Sequence, residues 1–249
     1  SVGLASFIGG GSYTMVDGVL TLSGIGIVIN IGITAAIAVL FVQFLGKHLK
    51  DFTLIAMSAL TMFIAGGIGL FTLPYVRTGS MWVGDVIMYF TSLQPVLMGA
   101  IIAVIFSILI ISPISTIGVA TAIMLSGIGA GAANLGVCAS GVGMCIASYR
   151  ANNFGTAIAH VVSAKIQMRN FFLKPVIALP MLLTAAILGG LAGILNVQGT
   201  PYSAGFGLSG LVGPLNYINL AEGGWNAKNI SIMLSMFFVL PLLLNLFFI

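Results

Sequence analysis

The chain is a succession of long apolar segments separated by short polar or glycine-rich stretches. Apolar runs of this length must be helical in a membrane, because hydrocarbon offers no partners for backbone N–H and C=O groups. The strict alternation of outer-membrane strands is missing from the sequence. The pattern therefore predicts an all-α polytopic membrane protein, with spans at about 19–46, 53–73, 93–112, 175–195 and 229–249.

The segment 114–147 is too long for one ordinary span and carries "SGIGAGAANLG" at its middle. One interpretation is two half-spans of about 15 residues that turn at the glycines, as a re-entrant hairpin or a tight pair of crossings. The spacings Gly127-x-x-x-Gly131 and Gly189-x-x-x-Gly193 also suit close helix packing. Both interpretations stay open from sequence.

The stretch "FTLPYVRTGSMWVGD", residues 71–85, combines Pro74 and two glycines with the opposite charges of Arg77 and Asp85. Proline and glycine at membrane depth predict a broken, re-entrant loop that lines a cavity. Charges within a bilayer are costly and are usually functional, so Arg77 and Asp85 would form a paired gate or contact a ligand. The alternative is an external loop whose charges meet water.

A second glycine- and proline-rich stretch, residues 199–225, predicts another broken element near the last span. It contains Asn216 and Glu222, the only glutamate of the chain, which is a candidate for binding hydroxyl groups or a proton. Glu222 could instead lie in solution beside the interfacial Trp225. Asn134, in the central glycine run, is a candidate to contact a substrate where a helix breaks.

Uncharged polar residues recur every three or four positions after Arg150, which places them on one face of a helix. Such groups suit a neutral polyol or sugar, although an amphipathic helix at the membrane surface would show the same stripe. We predict a cytoplasmic or interfacial amphipathic segment at 150–174, because its basic residues follow the positive-inside rule. The stripe consists of Asn153, Thr156, His160, Ser163, Gln167 and Asn170.

Composition supports the membrane assignment and excludes several classes of function. The chain is 59% hydrophobic and 5% charged, with a mean hydropathy of +1.21, so lipid must be the solvent for most of its surface. The basic residues lie where loops are expected and reflect topology, so no nucleic-acid partner is predicted. Cys138 and Cys145 have no histidine or carboxylate beside them, and we predict no metal, cofactor or catalytic constellation in this chain.

Three stretches together resemble a known family: "LPYVRTGSMWVGD", "GIGAGAANLGVCASGVGMCIASYRANNFGTAIAHVVSAKIQMRNFFLKP" and "GFGLSGLVGPLNYI". They are similar to the EIIC permease component of the sugar phosphotransferase system, in a group that includes proteins named perfringolysin O regulators. The resemblance covers 1–249 as one transmembrane domain, and it implies that the family's start lies upstream of Ser1.

The resemblance implies a homodimeric helical bundle in the bacterial cytoplasmic membrane, with broken helices and re-entrant hairpins around a central ligand site. It also implies carbohydrate transport by alternating access and phosphate transfer from partner EIIB and EIIA proteins. The glutamate and histidine that contact sugar in established members cannot be aligned here. Glu222 and His160 are therefore chosen from local chemistry.

Three hypotheses about function follow from the sequence. The first is a transporter of a small polar solute, and it rests on the two broken loops, the polar stripe and the resemblance. The second is a membrane-embedded ligand sensor or regulator without transport. The third is a binder of lipid or another hydrophobic ligand, which would have a cavity lined by Phe and Met instead of amides.

Overall fold

The structure is a computed structural model of the 249-residue chain, and it describes residues 1–16, 19–22, 26–46, 53–152 and 154–249. The regular secondary structure of the described residues is helical, apart from one small antiparallel hairpin of strands β1 (Tyr13–Val16) and β2 (Val19–Leu22). The helices are α1 Val2–Gly9, α2 Val28–Gly46, α3 Thr53–Leu93, α4 Pro95–Ile111, α5 Thr116–Ala122, α6 Gly127–Ala151, α7 Phe154–Val162, α8 Met168–Leu173, α9 Leu179–Leu195, α10 Val212–Leu220, α11 Ala227–Leu234 and α12 Leu240–Phe248.

Five helical segments among the described residues are long and apolar enough to cross a membrane, and α4 is a shorter apolar helix of 17 residues. This content confirms an all-α polytopic membrane protein. The five segments are Val28–Gly46, Met57–Leu93, Gly127–Ala151, Pro175–Leu195 and Ala227–Phe248.

The chain divides into two compact units, Ser1–Trp82 and Val83–Ile249, with the boundary inside α3. In the first unit, three helices meet at the buried Asn30 of α2. Its side-chain amide donates to the carbonyl oxygens of Gly9 in α1 (2.5 Å) and Gly69 in α3 (2.7 Å), and its oxygen accepts from Thr72 (2.8 Å). A buried amide with all these bonds fixes the register of the three helices.

In the second unit, α6 is the central helix and most of its residues are buried. It runs in the same direction as α4, because Gly136 lies against Ala103 and the hydroxyls of Ser140 and Ser107 are 2.6 Å apart. Glycines let these backbones approach closely, which is how membrane helices gain packing energy without a hydrophobic driving force.

Helix α9 packs antiparallel to α4, because Gly189 meets Gly99 while Gly193, one turn later, meets Pro95 near the start of α4. Buried aliphatic side chains from α4, α6 and α9 form the main apolar core. The start of α9 and the end of α6 therefore lie at one end of this unit, and the end of α9 and the start of α6 lie at the other.

The last span contains a π-helical turn, Ser235–Val239, between α11 and α12. The thiol of Cys138 in α6 donates to the carbonyl oxygen of Phe237 in this turn (3.0 Å). Further along, the buried Asn245 donates to the carbonyl oxygen of Ala139 (3.1 Å). Two polar contacts therefore hold the last span against the middle of α6.

The predicted spans at 175–195 and 229–249 are confirmed, and the span predicted at 93–112 corresponds to the shorter apolar helix α4, Pro95–Ile111. The span predicted at 19–46 begins too early, since Val19–Leu22 is a strand and α2 starts at Val28. The residues between the strands are Asp17 and Gly18, a pair that favours a two-residue hairpin turn. The long apolar run concealed this local signal.

The broken loop predicted in 71–85 is wrong, because α3 continues through this stretch to Leu93. Pro74 lacks an N–H and removes one helical hydrogen bond, yet the neighbouring turns stay helical. The hydroxyls of Thr78 and Ser80 donate to carbonyl oxygens four residues back, at 2.9 and 2.8 Å. In an apolar environment, keeping the remaining backbone bonds favours a helix with a proline over an open loop.

The turn predicted at the central glycines is also wrong in position. The chain turns at 123–126, after the seven-residue α5, and the glycine run is the first half of α6. These glycines serve packing: a Cβ on Gly131 would clash with the carbonyl oxygen of Val197, and one on Gly136 with that of Ala103. The close-packing interpretation explains these two positions.

The polar stripe does not lie on one helix, because α7 ends at Val162 and a 3₁₀ turn, Ala164–Gln167, follows before α8. Asn153, one member of the stripe, lies outside the described residues. Helix α7 runs back beside α6: the carbonyl oxygens of His160 and Val161 are 3.3 and 3.2 Å from the position of a Cβ on Gly141. The stripe is thus divided between short elements at the end of the second unit.

Candidate functional site

A cavity of about 700 Å³ opens in the second unit where α9 ends and α11 begins. We call it the Glu222 cavity. Its volume is in the range of small-molecule sites, and its wall is mostly polar. The lining residues are Ile194, Leu195, Asn196, Gln198, Tyr217, Leu220, Ala221, Glu222, Gly223, Asn226, Lys228, Asn229 and Ile232.

The end of α9 supplies two amide side chains to this cavity. Asn196 adopts a left-handed conformation (φ 52°) and ends α9, with its N–H bonded to the carbonyl oxygen of Ala192. The next residue, Val197, is fully buried, so Asn196 and Gln198 on either side of it line the cavity. Their side chains are bonded to each other at 2.9 Å. Gly199 then pairs with Gly127 through two backbone bonds of 3.0 Å, which joins this wall to the start of α6.

A tight turn before α11 presents Glu222. Gly223 and Gly224 have positive φ angles of 81° and 55°, which favour glycine. The buried Asn229 donates to the carbonyl oxygens of Glu222 (3.0 Å) and Gly224 (2.8 Å), and Asn226 caps α11 by accepting from the N–H of Asn229 (2.8 Å). The backbone at Glu222 is therefore held in place while its side chain is exposed.

The carboxylate of Glu222 has no hydrogen-bond partner within the described part of the chain, and the ammonium of Lys228 lines the same cavity. Tyr217 on α10 forms part of the wall; it is 3% exposed, and its hydroxyl has no hydrogen-bond partner among the described residues. Burial raises the pKa of Tyr217, so its hydroxyl stays protonated at neutral pH. One acid, one base, amides and a phenol provide both donors and acceptors without net charge.

Asn216 lies beside the cavity but is used to hold its wall. Its side-chain oxygen accepts from the N–H of Thr200 (3.1 Å) and from the hydroxyl of Ser203 (2.8 Å). These bonds fix the loop that follows α9 against α10. Direct contact of Asn216 with a solute stays a prediction.

Asn134 has a similar role at the middle of the unit. It is 1% exposed, and its oxygen accepts from the N–H of Gly207 (3.1 Å). The hydroxyl of Thr116 in α5 donates to the nearby carbonyl oxygen of Gly205 (2.9 Å). The loop before α10 is thus held between α5 and α6, although it lies far from both in sequence.

His160 is buried at the end of α7 and is bonded through both ring nitrogens. The carbonyl oxygen of Ala157 can only accept, so Nδ1 donates to it (3.0 Å) and Nε2 accepts from the amide of Gln167 (2.8 Å). The oxygen of Gln167 in turn accepts from Asn170 (2.5 Å). The result is a chain of neutral groups that connects α7 to α8.

This chain of bonds reaches a smaller cavity of about 140 Å³ between the end of α6 and α8, which we call the Asn170 cavity. Its polar lining comes from Ser148 on α6, Asn152 directly after α6, Gln167 in the 3₁₀ turn and Asn170 on α8. The lining residues are Met144, Ala147, Ser148, Ala151, Asn152, Gln167, Asn170 and Ile177.

The structure does not bring His160 and Glu222 to one site. The Glu222 cavity adjoins the start of α6 through Gly199, whereas His160 lies beside Gly141, fourteen residues further along that helix. A helical rise of 1.5 Å per residue makes this separation about 21 Å.

Arg77 and Asp85 are exposed on α3 and belong to different compact units, so the paired gate stays a prediction. Among the described residues, no group of three His, Cys, Asp or Glu side chains is placed to hold a metal ion.

Sequence reasoning found Glu222 but missed most of its neighbours in the cavity. The run "YINLAEGGWNAKN" is rich in polar residues, and this local pattern is enough to indicate Asn226, Lys228 and Asn229 as further candidates for the site. Asn196 and Gln198 had no comparable signal, because their side of the cavity depends on where α9 ends.

A family model described as "Phosphotransferase system, EIIC" matches residues 1–249, the whole chain. Searches among curated proteins and among solved structures gave no match.

Proposed function

Since the chain belongs to the EIIC family of the phosphotransferase system and is a multi-pass membrane transporter of that type, we propose that it carries a small neutral polar solute of the carbohydrate class. Membership of this family implies that the protein works together with EIIB and EIIA partner proteins. We place the protein in the bacterial cytoplasmic membrane, as a homodimer that operates by alternating access.

The observation that carries this proposal is the Glu222 cavity. Carbohydrate hydroxyl groups each donate and accept, so a site for them needs both acceptors and donors around a space of molecular size. The unpaired carboxylate of Glu222 supplies acceptors, Lys228 supplies donors, and the amides supply both. A neutral solute with several hydroxyl groups can donate to the carboxylate and accept from the ammonium at the same time, whereas a singly charged solute would be repelled by one of the two groups.

The lining of the Glu222 cavity favours a polar solute over a hydrophobic ligand. A lipid-binding function would need a chamber lined by Phe and Met, and the Glu222 cavity contains neither. An apolar groove of about 510 Å³ does lie between α4 and α9, but it is shallow and its aliphatic lining also lacks Phe and Met.

The arrangement of the second unit supports alternating access. The Glu222 cavity lies at one end of α6 and the Asn170 cavity at the other. Between them, the loop held by Asn134 and the end of α7 meet, since the hydroxyl of Ser209 donates to the carbonyl oxygen of Val162 (2.5 Å). In our proposal the solute enters from the Glu222 cavity, and movement of these two non-helical segments opens its path to the other end.

The decisive variant is Glu222→Gln, which keeps the shape of the side chain but removes its charge. Hydrogen bonds to charged groups contribute about 1.5–3 kcal/mol, so affinity should fall by about 10- to 150-fold. We would first measure the thermal stability of the purified protein with glucose, N-acetylglucosamine and mannitol in turn. The sugar that raises the Tm would then be used for binding titrations and for uptake into cells.

Lys174→Gln is the control, because Lys174 is also an exposed charged residue but does not line the cavity. It should leave affinity unchanged. The proposal fails if no neutral sugar or polyol raises the Tm, or if Glu222→Gln binds such a solute as tightly as the natural chain does.

A further inference from the structure

The end of the second unit that carries the Asn170 cavity combines positive charge with an exposed apolar surface. The four acidic residues of the sequence are Asp17, Asp51, Asp85 and Glu222, so none lies between 86 and 221. Four basic residues, in contrast, lie between 150 and 174. We propose that this end binds the phosphate headgroup of an anionic glycerophospholipid, a function separate from solute transport.

Three of the four bases are available for a headgroup. Arg150, Arg169 and Lys174 are exposed, and no carboxylate in the described part of the chain pairs with them. Lys165 is different: its ammonium donates to the carbonyl oxygens of Ser112 and Ile114, both at 2.6 Å, and so holds the segment after α4. Burial lowers the pKa of Lys165, which accords with a structural role.

The available bases are at the depth of lipid headgroups. Arg150 is the penultimate residue of one span, Gly127–Ala151, and Lys174 directly precedes another, Pro175–Leu195. Basic residues at the ends of apolar spans lie at the membrane–water interface. Because α6 and α9 are antiparallel partners of the same bundle, these two ends face the same side of the membrane.

The Asn170 cavity is lined by the sequence neighbours of both arginines and provides further donors. Ala151 and Asn170 line it, and each is the sequence neighbour of one arginine, Arg150 and Arg169 respectively. The side chains of Asn152 and Gln167 line it as well. Guanidinium groups bind phosphate through paired hydrogen bonds, and amide donors around them add to the recognition of its oxygens.

The acyl chains have a surface of their own on α7. Phe154, Ile158 and Val162, spaced four apart on one face, are 64%, 47% and 67% exposed, while Ala157 and His160 on the other face are buried. Helix α7 returns beside α6 as far as Gly141, ten residues or about 15 Å before α6 ends. This apolar face therefore extends inward from the headgroup level into hydrocarbon.

The depth of this apolar face favours a lipid over a soluble acidic protein as the ligand. A cytosolic partner could reach the arginines, but it could not cover Val162, which lies well below them. A diacyl lipid with a phosphate headgroup matches both parts of the surface at once: charge at the rim and apolar side chains beneath it.

The test uses the full chain in detergent and measures retained lipid by native mass spectrometry. Phosphatidylglycerol is titrated against phosphatidylcholine, and the natural chain should prefer phosphatidylglycerol. Each basic residue near a membrane surface contributes about 1 kcal/mol to the binding of an anionic lipid. We therefore expect each single substitution to reduce the affinity for phosphatidylglycerol about five-fold: Arg150→Gln, Arg169→Gln and Lys174→Gln. The triple variant should reduce it about a hundred-fold. Arg150→Lys should retain the preference.

Arg77→Gln is the matched control, since it also removes an exposed arginine from a helix but should leave the preference intact. Thermal unfolding of each variant shows whether it is folded, and the single variants provide the result if the triple variant is not. Equal retention of both lipids, or an unchanged preference in the triple variant, would refute the proposal. Displacement of phosphatidylglycerol by millimolar inorganic phosphate would instead identify a site for free phosphate and also contradict it.

Discussion

Two adjacent glycines of α9 have very different surroundings. A Cβ on Gly189 would lie 2.5 Å from the Cβ of Ala103 and still closer to the carbonyl oxygen of Gly99, whereas a Cβ on Gly190 would be 3.4 Å from its nearest neighbour, a methyl of Val96. The first position is filled by backbone, which cannot move aside. The second has room for a methyl group.

We therefore expect Gly189→Ala to destabilise the protein and Gly190→Ala to leave it unchanged or slightly more stable. Overpacking of this kind costs about 1–3 kcal/mol, while alanine in place of a helical glycine gains up to about 1 kcal/mol. Thermal unfolding in detergent compares the two variants directly. Equal Tm values would mean that α4 and α9 are not packed backbone to backbone.

At the residue scale, the sequence identified several polar residues but not their partners. Glu222 stood out because it is the only glutamate, and the structure places it on a cavity. Residue type alone points to Asn134 and Asn216, yet the side-chain oxygen of each accepts from a backbone N–H, that of Gly207 and that of Thr200 respectively. Gly207 is 73 positions from Asn134, and no local pattern reveals a contact over that distance.

At the element scale, long apolar segments were predictable and breaks were not. Spans such as 175–195 follow from length and hydropathy alone. Proline and glycine, however, mark breaks in water more reliably than in lipid, where a helix retains its remaining bonds. Helix α3 therefore passes through Pro74, and α6 includes the glycine run.

The path of helix α7 relative to the bilayer can be tested directly. Phe154 and Val162 are about equally exposed and lie two turns apart, and α7 returns along α6. If the helix enters the bilayer, a spin label at 162 should lie up to about 12 Å deeper than one at 154. A helix lying flat at the surface would place both labels at the same depth.

The experiment attaches a nitroxide to Phe154→Cys or Val162→Cys in a Cys145→Ser background, since Cys145 is half-buried and Cys138 is buried. Power saturation with oxygen and a water-soluble nickel complex then measures the depth of each label in vesicles. Equal depths would contradict the inward path of α7 and also the acyl-chain surface proposed for it.

At the scale of the whole second unit, the two cavities lie at opposite ends of α6. The positive-inside rule predicts that the end with Arg150 and Lys174 faces the cytoplasm and that the Glu222 cavity faces the other side. This orientation follows from the distribution of charge and needs a test in cells.

We expect Trp225→Cys to react with a membrane-impermeant maleimide on intact cells, because Trp225 is exposed beside the Glu222 cavity. Asn170→Cys should react only in inverted vesicles. Both variants would be made in the Cys145→Ser background and detected by a shift in gel mobility. Reaction of both from the same side would contradict the arrangement of the cavities, and the reverse pattern would contradict the orientation.

The π-helical turn in the last span offsets the phase of the helix that follows it. A turn with one extra residue rotates everything beyond it by about 100° relative to a uniform α-helix. With that offset, α12 directs Asn245 toward Ala139 of α6, while the carbonyl oxygen of Phe237 is free to accept from the thiol of Cys138. Without it, the same sequence would turn Asn245 away from Ala139, and its amide would keep only the bond to the carbonyl oxygen of Pro241 in its own helix (2.8 Å).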